Sequence, residues 1–128
     1  MRYLLDTHIW LWGLLEPNRI SPEIIAILGN TEHEFFISPI SIWETRILAE
    51  RGKIELTLPP DEWISEALFR SQVKEAKLSH AVALKSRQID LPHQDPADRF
   101  IAATAWEYGL VLITADEKLR RSQTIRVI

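Results

Sequence analysis

The stretch YLLDTHIWLW, Tyr3 to Trp12, decides how the rest of the chain is read. Tyr3, Leu4 and Leu5 form a continuous apolar run of the kind that parallel sheets bury on both faces, so Arg2–Asp6 is expected as a strand. Asp6 ends that run. Thr7 is the expected N-cap of a helix reaching about Glu16, with Ile9, Trp10, Trp12, Leu14 and Leu15 as its apolar surface. A carboxylate therefore stands between a buried strand and a buried helix, where a charge needs a reason to be.

Downstream the alternation repeats. Ser21 followed by Pro22 marks a helix start and Gly29-Asn30 its stop, predicting a helix over 22–29. EFFIS (34–38) reads as a second buried strand. Ser41 and Glu44 have capping-box spacing, predicting a helix that carries IWETRILAER and ends at Gly52. KIELTL (53–58) reads as an exposed extension. Pro59-Pro60 breaks the chain, Asp61 is the expected cap of a helix near 62–71, and Ser79 of another near 80–88. Pro92 to Pro96 forms a loop, ADRFIAATAWEY (97–108) a helix closed by Gly109, LVLIT (110–114) a third buried strand and IRVI (125–128) a last short one. Helices alternating with apolar strands predict an α/β fold, a mostly parallel sheet flanked by helices with right-handed crossovers.

Composition narrows the functions open to this chain. At 128 residues, 46% hydrophobic and 26% charged, it is expected as one globular domain spanning 1–128. The absence of cysteine excludes disulfides, thiolate metal sites and a cysteine nucleophile. Neither a signal peptide nor a membrane span is recognisable, so a soluble, cytoplasmic protein is expected, with no membrane partner. The net charge of −3 argues against nucleic-acid binding through sheer positive excess; any such contact must be local or metal-assisted.

In open parallel sheets the ligand crevice lies beyond the carboxyl ends of the strands. Asp6 follows the first strand directly, and Asp116 follows VLIT after one alanine. Glu44 is placed in the first turn of the helix after the second strand, and Asp98 in the first turn of the helix before the third. Each has a purely structural reading: Asp6 and Asp116 as caps or turn residues, Glu44 as the capping-box glutamate, Asp98 as a dipole-matching acid behind Asp95 as cap. Taken together they point further. Converging carboxylates repel and lose solvation unless a cation compensates, and an all-oxygen donor set selects a hard ion such as Mg²⁺, with Mn²⁺ as substitute. Such an ion activates water and stabilises charge on phosphate oxygens, which is the chemistry of phosphodiester hydrolysis.

YLLDTHIWLW, ISPISIWETRILAERGKIEL (37–56), LPHQDPADRFIAATA (91–105) and GLVLITAD (109–116) resemble a PIN-domain ribonuclease, and more narrowly the VapC toxins of type II toxin–antitoxin systems. The resemblance runs through the whole chain in order. It implies a PIN-like three-layer fold and a metal-dependent endoribonuclease. It further implies a homodimer and a cognate antitoxin protein that blocks the site. Carried over, the family's acids fall on Asp6, Glu44, Asp98 and Asp116, with Asp6 and Asp98 as principal metal ligands. Asp95 is the rival to Asp98, and Thr7 and Thr114 are the expected supports. Arg46 departs from the apolar residue expected there.

With a negative chain, RNA is expected to be held by Arg46, Arg51, Lys53, Arg99, Lys118, Arg120 and Arg121 together with the metal. Trp10, Trp12 and Trp43 read as core or subunit-interface residues. His8, His33, His80 and His93 show no metal-ligand spacing and are weak candidates for acid–base roles. Among other enzyme classes, an aspartyl-phosphate phosphatase would want a second aspartate at position 8, which is His8. A phospho-acceptor receiver would want paired acids where Leu5-Asp6-Thr7 stands. The non-enzymatic alternative is a catalytically inert PIN-fold module that binds RNA or antitoxin.

Overall fold

The computed structural model describes all residues, 1–128. Four strands form one all-parallel sheet in the order β3-β2-β1-β4: β1 Arg2–Leu5, β2 Glu34–Ile37, β3 Lys74–Glu75 and β4 Val111–Ile113. Six helices accompany it: α1 Thr7–Leu15, α2 Pro22–Leu28, α3 Pro39–Glu50, α4 Pro60–Ser71, α5 His80–Gln88 and α6 Pro96–Tyr108.

Alternation along β1 divides the interior in two. Leu4, in register with Phe36 and Leu112, faces Ile101, Ala102 and Ala105 of α6 together with Ile89, Leu91 and Leu119. Tyr3 and Leu5 point the other way, onto Ile9, Trp10 and Leu11 of α1, with α2 and α4 contributing Ile24, Ile27, Leu28, Ala67 and Trp63. The sheet is thus the middle of three layers, as expected.

Several expected boundaries shift for identifiable reasons. Asp6, not Thr7, caps α1: its side chain accepts from the Thr7 amide, and Thr7 is the first helical residue. Ser38 caps α3 and Pro39 takes its first position, so the helix starts before Ser41, and Glu44 lies in its second turn. The capping-box reading is therefore overturned, and Glu44 bonds elsewhere. Pro59, not Asp61, precedes α4, with Asp61 and Glu62 in its first turn. KIELTL forms no strand, in keeping with an exposed extension, and the sheet edge beside β2 is taken by Lys74–Glu75, for which the sequence analysis named no strand.

IRVI contributes a single parallel bridge, Leu112 to Val127, supported by Leu112 N–H to Arg126 O, Ile128 N–H to Leu112 O and Thr114 N–H to Ile128 O. Helices α2, α5 and α6 appear where their caps predict, with Ser21, Ser79 and Asp95 each accepting from backbone amides. No helix is long and apolar enough to cross a membrane.

Candidate active site

The chain builds β1, β2 and β3 outward in one direction, then returns to lay β4 on the other side of β1. The order reverses between β1 and β4, and in an open parallel sheet the crevice beyond the carboxyl ends at such a reversal is where ligands bind. Asp6 stands there. It is 8% exposed, its amide bonds to Ile113 O at 3.0 Å, and its two carboxylate oxygens are held separately. Oδ1 accepts from the Thr7 amide at 2.8 Å and Oδ2 from the Thr114 hydroxyl at 2.6 Å.

Glu44 reaches the same rim from α3. Its Oε1 accepts from the Thr7 hydroxyl at 2.6 Å, and Thr7 Oγ1 also lies 2.8 Å from the buried Ser41 hydroxyl. Thr7 has one proton, so Ser41 donates to Thr7 and Thr7 to Glu44. Thr7 thus ties the two acids together, one through its amide and one through its hydroxyl. Thr114 does the same for Asp6 and Asp116, donating to the first while accepting from the backbone amide of the second at 3.0 Å. The Asp116 carboxylate accepts from the Lys118 amide at 2.9 Å.

Asp98 enters from the first turn of α6. Its rival Asp95 is committed as that helix's cap, accepting from the Ala97 and Asp98 amides, which leaves Asp98 facing the rim. Asp98 Oδ2 is 3.0 Å from His93 Nε2.

Electrostatics show that the four acids share one region. Burial raises the Asp6 carboxyl above its ordinary range, hydrogen bonds from Thr114 and Thr7 oppose the rise, and the Asp116 charge adds to it. Glu44 is raised by burial and by the charges of Asp6 and Asp98, and Asp98 by burial and by Asp95, Asp6 and Asp116. Asp6, Glu44 and Asp116 have no lysine or arginine partner; Asp98 has only His93. The carboxylates surround the rim without any three closing on a common point. Partly buried like charges presenting only oxygen, with no lysine or arginine among them, fit a hard divalent ion.

Two histidines stand beside these acids. His93 holds Asp98, and its other ring nitrogen, Nδ1, is buried without a partner. His8 lies close enough to Asp6 and Glu44 for its charge to offset part of the rise of both carboxyl groups. Position within two residues of Asp6, or five before Asp98, was the available signal.

The expected RNA-holding cations divide. Arg99 is 4% exposed and cannot touch RNA: its guanidinium donates to the carbonyls of Ser86, Ile89, Leu91 and His93, fastening the loop before α6 to the end of α5. Arg46 pairs with Asp61 at 2.7 Å and Glu50 at 3.0 Å, an ionic tie from α3 to α4. Arg120 donates to Thr114 O. Arg51, Lys53, Lys118 and Arg121 are exposed and form no ion pair. Of the tryptophans, Trp10 is core, Trp12 half-buried and Trp43 is 57% exposed.

Comparison with known proteins identifies the family and the fold. The family model of the PIN domain matches residues 3–123. Ribonuclease VapC22 of Mycobacterium tuberculosis is 34% identical over 120 residues, covering 91% of this chain and 88% of that protein. Two solved structures superpose with a TM-score of 0.73 over 100% of this chain. They are VapBC2 from Rickettsia felis bound to a promoter DNA fragment (17% identity, 98% of that chain covered) and DNA-bound VapBC from Salmonella typhimurium (23%, 97%). A fold with four acids gathered at its strand-order reversal, matched along nearly its whole length by sequence, places the chain in the PIN-domain family, among the VapC-type proteins.

Proposed function

We propose that this chain is a Mg²⁺-dependent endoribonuclease, Mn²⁺ substituting, and the toxin half of a type II toxin–antitoxin pair. One observation carries the chemistry: Asp6 is buried at the β1/β4 reversal, within electrostatic reach of Asp116, Glu44 and Asp98 and with no lysine or arginine paired to it. Asp6 and Asp98 are the residues that would hold the ion, with Glu44 and Asp116 around them. When bound, the ion supplies Lewis-acid activation of water and neutralises charge developing on the phosphate.

The chain's own residues supply placement. Thr114 and the Thr7 amide fix the two oxygens of Asp6, the Ser41–Thr7 relay fixes Glu44, and His93 fixes Asp98. Raised carboxyl groups favour binding of positive charge over an ion-free, fully ionised site. Identity to a ribonuclease supports RNA as substrate, and structural likeness to VapBC complexes supports an antitoxin as partner. The family likeness also supports a homodimer, for which exposed Trp43 on α3 is a candidate contact.

The test is incubation of antitoxin-free protein with total RNA, with and without Mg²⁺ or Mn²⁺, beside Asp6→Asn and Asp98→Asn. Discrete, metal-requiring cleavage lost in both variants establishes the nuclease. A folded, metal-loaded wild type that leaves cellular RNA intact favours the inert binding module.

A further inference from the structure

A groove of 630 Å³ lies between α1 and the C-terminal end of α3; none of the four acids lines it, but His8, beside Asp6 and Glu44, does. Two helical stripes wall it. On α1, His8, Leu11, Trp12 and Leu15 recur at the spacing of one helix face; on α3, Leu48 and Arg51 continue the face that Glu44 begins. Both stripes thus start at the candidate active site and lead away from it. At the far end the groove carries Arg19, Arg51 and Lys53, against the carboxylates of Glu16 and Glu55.

These cations are placed by structure. Gly52 has φ +66°, and the helix end closes with Gly52 N–H to Ala49 O at 3.1 Å and Lys53 N–H to Leu48 O at 2.9 Å, turning Lys53 back over the helix. Arg51 and Lys53 have no acidic partner. Arg19 pairs with Glu16 at 3.1 Å and lies 4.3 Å from the centre of the Trp12 ring, whose other neighbour is His8 at 5.6 Å. The wall is an imidazole–indole–guanidinium array.

We propose that this groove holds the single-stranded RNA segment flanking the bond to be cut, with Arg51 and Lys53 on its phosphates and the His8–Trp12–Arg19 array against its bases. The inference rests on the ribonuclease reading of the adjoining acids. A polyanion approaching four carboxylates on a chain of net charge −3 needs local cations along its path, and two of the four exposed cations that form no ion pair, Arg51 and Lys53, lie here. Arg51 is seven residues from Glu44, about 10 Å along the helix, so a strand reaching both spans more than one nucleotide. Flat aromatic and guanidinium surfaces beside cations are how single strands are held without sequence preference.

The experiment uses the full chain, free of antitoxin, and a labelled mixed-sequence single-stranded RNA in EDTA, so that binding is read without turnover. Arg51→Ala/Lys53→Ala is compared with Lys77→Ala/Arg87→Ala, an equal charge change at exposed positions off the groove, after melting curves confirm that both pairs fold. The groove pair is expected to weaken binding about tenfold or more and to reduce the slope of log affinity against log salt by about 1.4, two phosphate contacts at about 0.7 each; the control pair is expected to change affinity less than twofold.

Equal losses in both pairs, or no RNA binding by the wild type, overturn the proposal. So does wild-type RNA affinity in the groove pair, including the case where that pair instead fails to retain a co-expressed antitoxin, which assigns the groove to a protein segment. The two readings fail separately: groove-dependent binding without any metal-dependent cleavage removes the nuclease and leaves the groove, whereas cleavage and binding undiminished in Arg51→Ala/Lys53→Ala remove the groove and leave the nuclease.

Discussion

Asp6 is a buried carboxylate whose charged surroundings are mostly acidic, and that couples stability to pH. Asp6, Glu44 and Asp98 are all raised from ordinary values of 3.8 to 4.5, so in the metal-free protein the native state retains protons that the unfolded chain has released. Their contribution is fully present below the ordinary carboxylate range and is lost as pH rises through the raised values. Melting temperature in EDTA should therefore fall on going from about pH 4 toward neutrality, and Mg²⁺ should restore it; a profile that is flat and indifferent to Mg²⁺ would count against a metal site. Thr114→Val keeps the volume but removes the donor to Asp6 Oδ2, and metal-dependent cleavage should drop about 10–100-fold with the fold retained. Arg99 illustrates the opposite case, a charged residue with a structural task. Arg99→Leu strips donors from the carbonyls of Ser86, Ile89, Leu91 and His93, and urea denaturation should show a loss of about 3 kcal/mol or more. Arg99→Lys should recover little of it, because an ammonium cannot reproduce the planar fork.

Element boundaries were legible wherever the partner of a capping group lies within a few residues. Ser21-Pro22, Ser79 and Asp95-Pro96 each satisfy nearby amides, so α2, α5 and α6 start as read. The start of α3 was misread because two serines compete for its cap. Ser38 with Pro39 wins, and Glu44, which has the right spacing for a capping box with Ser41, is drawn instead to Thr7 on another helix. KIELTL alternates like a strand but has no sheet edge to join, since Lys74–Glu75 occupies it. Gly52 closes α3 in a left-handed conformation with open space around it, so Gly52→Ala is opposed by backbone strain and not by a clash. It should cost about 1 kcal/mol, a fall of roughly 4 °C in melting temperature.

Across the whole molecule, the order β3-β2-β1-β4 does the work that no single element can. It sets Asp6 beside Thr114 across 108 residues of chain and brings Glu44 and Asp98 to the same rim. The outer edge of β4 is covered by Arg126–Ile128, whose backbone bonds reach Leu112 and Thr114. Removing residues 125–128 should expose that edge and loosen Thr114, lowering both melting temperature and metal-dependent cleavage, whereas removing an unattached tail would change neither. The same scale explains why Arg99 was mistaken for an RNA contact: its burial depends on α5 folding back against α6.

By itself the sequence determined the layers, because continuous apolar runs must be buried and their alternation with capped helices admits few arrangements. It also placed an acid after the first strand and in the other three stretches where acids are found. The tertiary structure alone decided which polar groups are tied to which: Thr7 to Glu44, Thr114 to Asp6, His93 to Asp98, and Arg99 to four carbonyls. The Thr7–Glu44 and Thr114–Asp6 bonds join remote residues and leave no periodicity in the chain, and the shorter ties of His93 and Arg99 depend on how the loop before α6 folds and on α5 packing against α6, not on spacing.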